Sequence, residues 1–198
     1  MRRFATAAFI AGAALASSAG SANAFIHLLF QSEQQTSAQQ FYRNDPSSHV
    51  QISPIPREIV AFSGYAPGTI VVNTSERRLY YVLGNGTAIR YGVGVGRPGF
   101  QWAGTKTVAR KAEWPDWTPP PQMLRRRPDL PRHMKGGVNN PLGARAMYLG
   151  GSLYRIHGSN EPDTIGQAVS SGCFRMTNAD VVDLYNRVKV GARVVVQR

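Results

Sequence analysis

Short runs of β-branched and aromatic residues, separated by glycine, proline and asparagine, constrain the fold of this 198-residue chain most strongly. Residues 69–73, 78–83 and 87–93 are three such runs, and the Gly84–Gly86 turn between the last two suits a hairpin. Four more strands are predicted at residues 106–111, 146–149, 153–157 and 192–196. We therefore expect a mainly β domain.

One helix is clear within this pattern. Thr177 is a suitable N-cap, and Asp180 follows three residues later as in a capping box. Apolar side chains then recur at helical spacing, at Val181, Leu184, Tyr185 and Val188. Gly191 is the predicted end of this helix region.

The N-terminus has the pattern of an export signal. Two arginines precede an uncharged segment at residues 4–19, and Ala22–Asn23–Ala24 has the small-x-small pattern that signal peptidase cleaves. The alternative is a buried N-terminal helix, which the glycines and serines of this segment suit poorly. We expect residues 1–24 to be a signal peptide and the protein to be exported, to the periplasm or cell wall. No later stretch is apolar enough to span a membrane after cleavage.

The rest of the chain divides into a leader and a folded domain. Residues 25–67 are rich in Ser, Gln and Pro and are expected to form a flexible leader ending in an extended arm. Residues 68–198 form the expected domain, in which the proline-rich residues 113–143 predict a long lid-like loop. Three tryptophans in or near this loop either line a substrate groove or anchor the loop: Trp102, Trp114 and Trp117.

The single cysteine, Cys173, excludes an internal disulfide and a Cys-based zinc cluster. His157 ends a predicted strand sixteen residues earlier, and the polar loop between them can fold away. A cysteine nucleophile needs a base to form a thiolate, and histidine is the usual one. Gly172 permits a sharp turn, and N–H groups near the start of the following helix would lower the pKa of the thiol. The alternative is a small buried cysteine and a structural histidine.

Two motifs carry a family resemblance. His157–Gly158, followed at this spacing by Ser170–Met176 (Ser-Ser-Gly-Cys-Phe-Arg-Met), resembles the signature of L,D-transpeptidase catalytic domains of the YkuD type. The similarity runs from about residue 69 to residue 196. It implies a YkuD-like β-sandwich catalytic domain that acts on peptidoglycan stem peptides.

The resemblance also implies roles for individual residues. Cys173 is the implied nucleophile, His157 the general base, and the Gly158 carbonyl the group that holds the imidazole ring. The resemblance further implies that backbone N–H groups of the turn around Cys173 form an oxyanion hole. The residues implied in this hole and in substrate binding are Ser170, Ser171, Gly172 and Arg175.

Two positions of the signature leave questions open. Arg175 is implied to bind a stem-peptide carboxylate, and the alternative is a structural ion pair with Glu161 or Asp163. Ser171 stands where many relatives have histidine, so any binding role of that histidine does not carry over to this chain.

The implied reaction is transfer through a cysteine thioester. The thiolate attacks the carbonyl of the third stem residue, the terminal D-Ala leaves, and an amine acceptor resolves the thioester, giving a 3–3 cross-link or D-amino-acid exchange. An L,D-carboxypeptidase or amidase-type hydrolase on the same scaffold is the nearest alternative. A non-catalytic wall-binding module, with an unreactive Cys173, is the alternative from another class.

Other signals predict neither a cofactor nor a nucleic-acid partner. The glycine pattern at 94, 96 and 99 is not followed by a helix, so dinucleotide binding is not expected. His27, His49 and His133 lack metal-ligand partners at useful spacing. The formal net charge of +12 is scattered, and in an exported protein it favours attraction to an anionic cell envelope.

Overall fold

The computed structural model describes residues 53–198. The expected signal peptide at 1–24 lies outside the described residues, as do His27, His49 and the leader up to residue 52. None of the described helices is long and apolar enough to cross a bilayer.

The described residues form a mainly β domain with one clear helix, which confirms the predicted fold class. The strands are β1 (Glu58–Ala61), β2 (Ile70–Asn73), β3 (Arg78–Gly84), β4 (Thr87–Gly92), β5 (Val95–Gly96), β6 (Gly104–Glu113), β7 (Arg145–Leu149), β8 (Arg155–His157), β9 (Ala168–Ser170), β10 (Phe174–Arg175) and β11 (Arg193–Gln197). The α-helices are α1 (Pro121–Arg126) and α2 (Asn178–Arg187), and residues 162–164 form a 3₁₀ turn.

Nine of these strands form one sheet, in the order β1-β4-β3-β2-β11-β6-β7-β8-β10, and β5 pairs with β9 separately. The ten-residue strand β6 links the β1–β11 part of the sheet to the β7–β10 part. Val72, Val108 and Ile156, from β2, β6 and β8, lie in one buried core with Leu184 of α2. The strands at the β8–β10 end are therefore fixed by the same core as the rest of the domain.

Helix α2 begins where its sequence pattern predicts. The Thr177 hydroxyl accepts a 3.2 Å hydrogen bond from the backbone N–H of Asp180, which caps the first turn. The helix ends at Arg187, before Gly191. Lys111 of β6 donates 2.6 Å hydrogen bonds to the carbonyls of Tyr185 and Val188, so a cation satisfies the free C=O groups at this end.

The sequence pattern did not predict four short elements, which are α1, β5, β9 and β10. None exceeds six residues, and a segment of that length shows no usable period. Helix α1 lies within the 113–143 loop and begins with Pro121, a residue that suits the first helical position. The extended arm of the leader contains β1, which pairs antiparallel with β4.

Candidate active site

Parallel pairing of β8 with β10 brings the histidine and cysteine segments together. Arg175 lies opposite His157 in this register, and the N–H of Met176 donates a 2.8 Å hydrogen bond to the His157 carbonyl. Ile156 and Phe174 both face the buried core. Because side chains alternate along a strand, His157 and Arg175 lie on the opposite face, where Cys173 also lies beside Arg155.

His157 is buried, with 5% of its surface exposed, and its ring is held by its neighbour. Nδ1 lies 2.6 Å from the carbonyl oxygen of Gly158. A carbonyl only accepts, so Nδ1 carries the proton and Nε2 is left as the basic nitrogen. Burial lowers the pKa of His157 to about 3, and the charges of Arg175 and Arg155 act in the same direction. The imidazole is therefore neutral in the folded protein.

Cys173 is half-buried in the turn between β9 and β10. Its sulfur points at the carbonyl oxygen of Leu153, 3.9 Å away. Burial raises the pKa of Cys173, although nearby Arg155 opposes this shift. The thiol is therefore protonated at neutral pH, whereas the sequence pattern predicted a thiolate. The unliganded site holds a neutral thiol and a neutral imidazole.

The cysteine turn depends on Gly172. Its φ is +108°, a region that favours glycine, and an added Cβ would lie 2.5 Å from the ring of Tyr154. The Ser170 hydroxyl accepts a 3.1 Å hydrogen bond from the Gly172 N–H and donates a 2.5 Å hydrogen bond to the Cys173 carbonyl. Ser170 thus closes the turn.

The oxyanion donors expected from the sequence differ in their availability. The Gly172 N–H is used by Ser170 inside the turn. Among residues 53–198, the backbone N–H groups of Ser171 and Cys173 both have no hydrogen-bond partner. The Cys173 N–H belongs to the nucleophile itself, so it is the better placed of these two donors to receive a developing oxyanion next to the sulfur.

Trp102 holds the turn from outside. Its indole Nε1–H donates a 2.9 Å hydrogen bond to the Gly172 carbonyl. Its ring stacks on Tyr154, with centroids 4.7 Å apart and an angle of 7° between the planes. Trp102 therefore holds the cysteine turn, which is neither of the two roles considered from the sequence. The sequence could not reveal that its target is Gly172, seventy residues away.

Two arginines make polar contacts at the signature motif. Arg175 forms a 2.7 Å ion pair with Glu161, one of the two structural partners considered from the sequence. Arg97 donates a 3.3 Å hydrogen bond to the hydroxyl of Ser171. Arg97 follows the glycine-rich strand β5, and Gly94 just before that strand exchanges backbone hydrogen bonds with Arg175. The glycine pattern therefore packs directly against the active-site strands.

Asn178 is a buried residue that the sequence reading missed. Its Oδ1 accepts a 2.8 Å hydrogen bond from the Ala144 N–H. A Cβ added to either Gly143 or Gly158 would lie 2.3 Å from this oxygen. The absence of side chains at these two positions therefore lets Asn178 join the start of α2 to the backbone that carries His157.

Comparison with known proteins identifies the family of this domain. The family model YkuD, described as the L,D-transpeptidase catalytic domain, matches residues 67–196. The probable L,D-transpeptidase ErfK/SrfK of Escherichia coli (strain K12) is 39% identical over 158 residues, which are 75% of this chain and 49% of that protein. The probable L,D-transpeptidase YbiS of the same strain is 38% identical over 149 residues, 71% of this chain and 47% of that protein. The chain thus spans about half the length of these relatives.

Solved structures are similar in fold. An L,D-transpeptidase from Mycobacterium smegmatis superposes with a TM-score of 0.53 at 19% identity, covering 66% of this chain and 58% of that one. L,D-transpeptidase 3 from Mycobacterium tuberculosis superposes with a TM-score of 0.53 at 18% identity, covering 67% of this chain and 62% of that one.

Proposed function

This chain belongs to the YkuD family of L,D-transpeptidase catalytic domains, and from that premise we propose that it is an exported peptidoglycan L,D-transpeptidase. Its donor substrate is a stem peptide, from which it removes the terminal D-Ala and transfers the remaining acyl group to an amine. The observation that carries this proposal is the contact between His157 and Gly158. It leaves Nε2 basic on the face of the β8–β10 pair where Cys173 lies.

The first half of the proposed reaction forms a thioester. The Cys173 sulfur attacks the carbonyl carbon of the third stem residue while the thiol proton moves to Nε2 of His157. The Cys173 N–H stabilises the oxyanion. The bond to D-Ala then breaks, and the imidazolium returns the proton to the leaving amine.

The second half resolves the thioester. An acceptor amine attacks the same carbonyl carbon, His157 takes its proton, and the C–S bond breaks to regenerate the thiol. Since burial disfavours both the thiolate and the imidazolium, proton transfer is coupled to attack and does not precede it. The sulfur must also turn from the Leu153 carbonyl towards the imidazole, and such contacts are often long before substrate binds.

Mass spectrometry of muropeptides incubated with the purified protein tests this proposal. New 3–3 cross-links, or exchange of the terminal residue for an added D-amino acid, are the expected products. Trimmed stems alone would indicate the hydrolase, and the absence of any product would favour the wall-binding module. Cys173→Ala is the matched control and should give no product.

A further inference from the structure

Arg155 lies beside the thiol, two residues before His157 on β8. Its Nη1 donates a 3.2 Å hydrogen bond to the Leu153 carbonyl. The same oxygen is the acceptor for the Cys173 thiol. A guanidinium and the nucleophilic sulfur therefore meet at one backbone atom.

Arg155 also belongs to a row of side chains across three strands. Arg110 of β6 lies opposite Tyr148 of β7, and Tyr148 lies opposite Arg155. The guanidinium carbons of Arg110 and Arg155 lie 3.6 and 5.2 Å from the centroid of the Tyr148 ring. Stacking on an aromatic ring positions these cations without neutralising their charge.

Neither cation in this row has an acidic partner within the described part of the chain. No carboxylate among residues 53–198 forms an ion pair with Arg110 or Arg155. The Nε of Arg155 is buried and has no hydrogen-bond partner in the described part of the chain. Arg175, by contrast, is already paired with Glu161. Arg155 thus carries a charge that no carboxylate of the described residues neutralises, which leaves it able to attract an anionic group that enters with substrate.

We propose that Arg155 binds the terminal carboxylate of the residue that leaves the donor stem peptide. This inference rests on the proposed function. At attack, the sulfur lies about 3 to 3.5 Å from the scissile carbonyl carbon. The carboxyl carbon of the leaving residue is three bonds further on, at most about 4 Å by standard bond lengths. A guanidinium that adjoins the sulfur reaches this carboxylate and matches its geometry.

This assignment makes Arg155 a specificity residue. A donor whose scissile bond lies inside a longer chain has no carboxylate at this position. The enzyme therefore selects stems in which the residue after the scissile bond is the last one. Arg110, stacked on the same ring, keeps Tyr148 in place.

Two synthetic tetrapeptide donors, identical except for a terminal carboxylate or a terminal carboxamide, test the proposal. The measurement is release of the terminal residue, with kcat and KM for each donor. Wild-type protein should have a KM at least about tenfold lower for the carboxylate donor, as expected for a charge-assisted hydrogen bond. Arg155→Gln should raise the KM of the carboxylate donor about tenfold and leave the KM of the carboxamide donor nearly unchanged, whereas any effect through the thiol changes kcat for both donors alike. Arg155→Lys should keep part of the preference.

Equal use of both donors by the wild-type protein would overturn the proposal. The proposal would also be overturned if Arg155→Gln lowered kcat/KM for both donors to the same degree, because Arg155 would then act on the thiol alone. Arg77→Gln is the matched control, since this exposed arginine contacts the Gly166 carbonyl away from the sulfur. Release from neither donor by the wild-type protein would contradict the proposed function, and this inference with it.

Discussion

The indole N–H of Trp102 donates a 2.9 Å hydrogen bond to the carbonyl of Gly172, the residue immediately before Cys173. The same ring stacks on Tyr154, and the Tyr154 ring in turn lies against Gly172. The turn that presents the nucleophile is therefore held by side chains outside the signature motif.

Replacing Trp102 with phenylalanine should slow the reaction more than it destabilises the fold. The variant keeps an aromatic ring against Tyr154 but loses the hydrogen bond, which costs about 1 kcal/mol of unfolding free energy. We expect kcat to fall at least about tenfold, because small displacements of a nucleophile are costly. Steady-state kinetics and urea unfolding measure the two effects. Trp117→Phe, in the long loop, is the control, and an equal loss of kcat in both variants would contradict the role of Trp102 in holding the cysteine turn.

Replacing Cys173 with alanine should abolish transfer and leave the fold intact. The thiol's 3.9 Å contact with the Leu153 carbonyl is weak, so its removal costs little stability. We expect the unfolding free energy to change by less than about 1 kcal/mol. Product analysis checks the loss of transfer, and thermal unfolding checks that the fold is intact. Retained transfer would exclude Cys173 as the nucleophile.

Alkylation of Cys173 should be slow at neutral pH. Burial raises the pKa of its thiol, and the thiolate is the form that reacts. The rate with iodoacetamide should rise steadily above pH 8, with no plateau between pH 6 and 8. Mass spectrometry of the labelled protein gives the rate at each pH. A plateau near neutrality would indicate a preformed thiolate–imidazolium pair.

The buried neutral His157 should make stability depend on pH. Its pKa is about 3 in the folded protein against 6.5 for the unperturbed group, so the unfolded state binds more protons between these values. The stabilisation that neutral His157 contributes is fully present above pH 6.5. As the pH falls towards 3, the free energy of unfolding decreases by up to about 1.4 kcal/mol per pH unit. Urea unfolding at pH 4 to 7 should show a smaller slope for His157→Gln. Equal slopes would mean that His157 is not buried in its neutral form.

Gly172→Ala should destabilise the protein and abolish activity. Two effects combine here, the positive φ and the contact of the new Cβ with Tyr154. Gly191→Ala separates them, because Gly191 has a φ of +90° and no atom within 4 Å of an added Cβ. We expect the free energy of unfolding to fall by about 1 kcal/mol in Gly191→Ala, from φ alone, and by at least about 2 kcal/mol in Gly172→Ala. Similar losses in both variants would show that the Tyr154 contact is unimportant.

The elements predicted from the sequence are those in which the residues of the element itself show a recognisable helix or strand pattern. Helix α2 has an N-cap and apolar side chains at helical spacing, so its start at Asn178 follows from local chemistry. Strand β3 is rich in aromatic and aliphatic residues, and the Gly84–Gly86 turn follows it. The proposed pairing of Cys173 with His157 could be inferred from the sequence because few other residue types can perform this chemistry.

The tertiary structure alone decided how the site is supported and which protonation state it holds. Strand β10 has two residues and exists because Ile156 and His157 of β8 offer it partners. The contact of Trp102 with Gly172 joins residues that are far apart in the chain. That no carboxylate of the described residues pairs with Arg155 is likewise a result of how the strands pack. Burial, which depends on every element that covers a group, keeps the Cys173 and His157 side chains neutral. A sequence encodes the local period of each segment, but desolvation and long-range contacts arise only when the whole chain has packed.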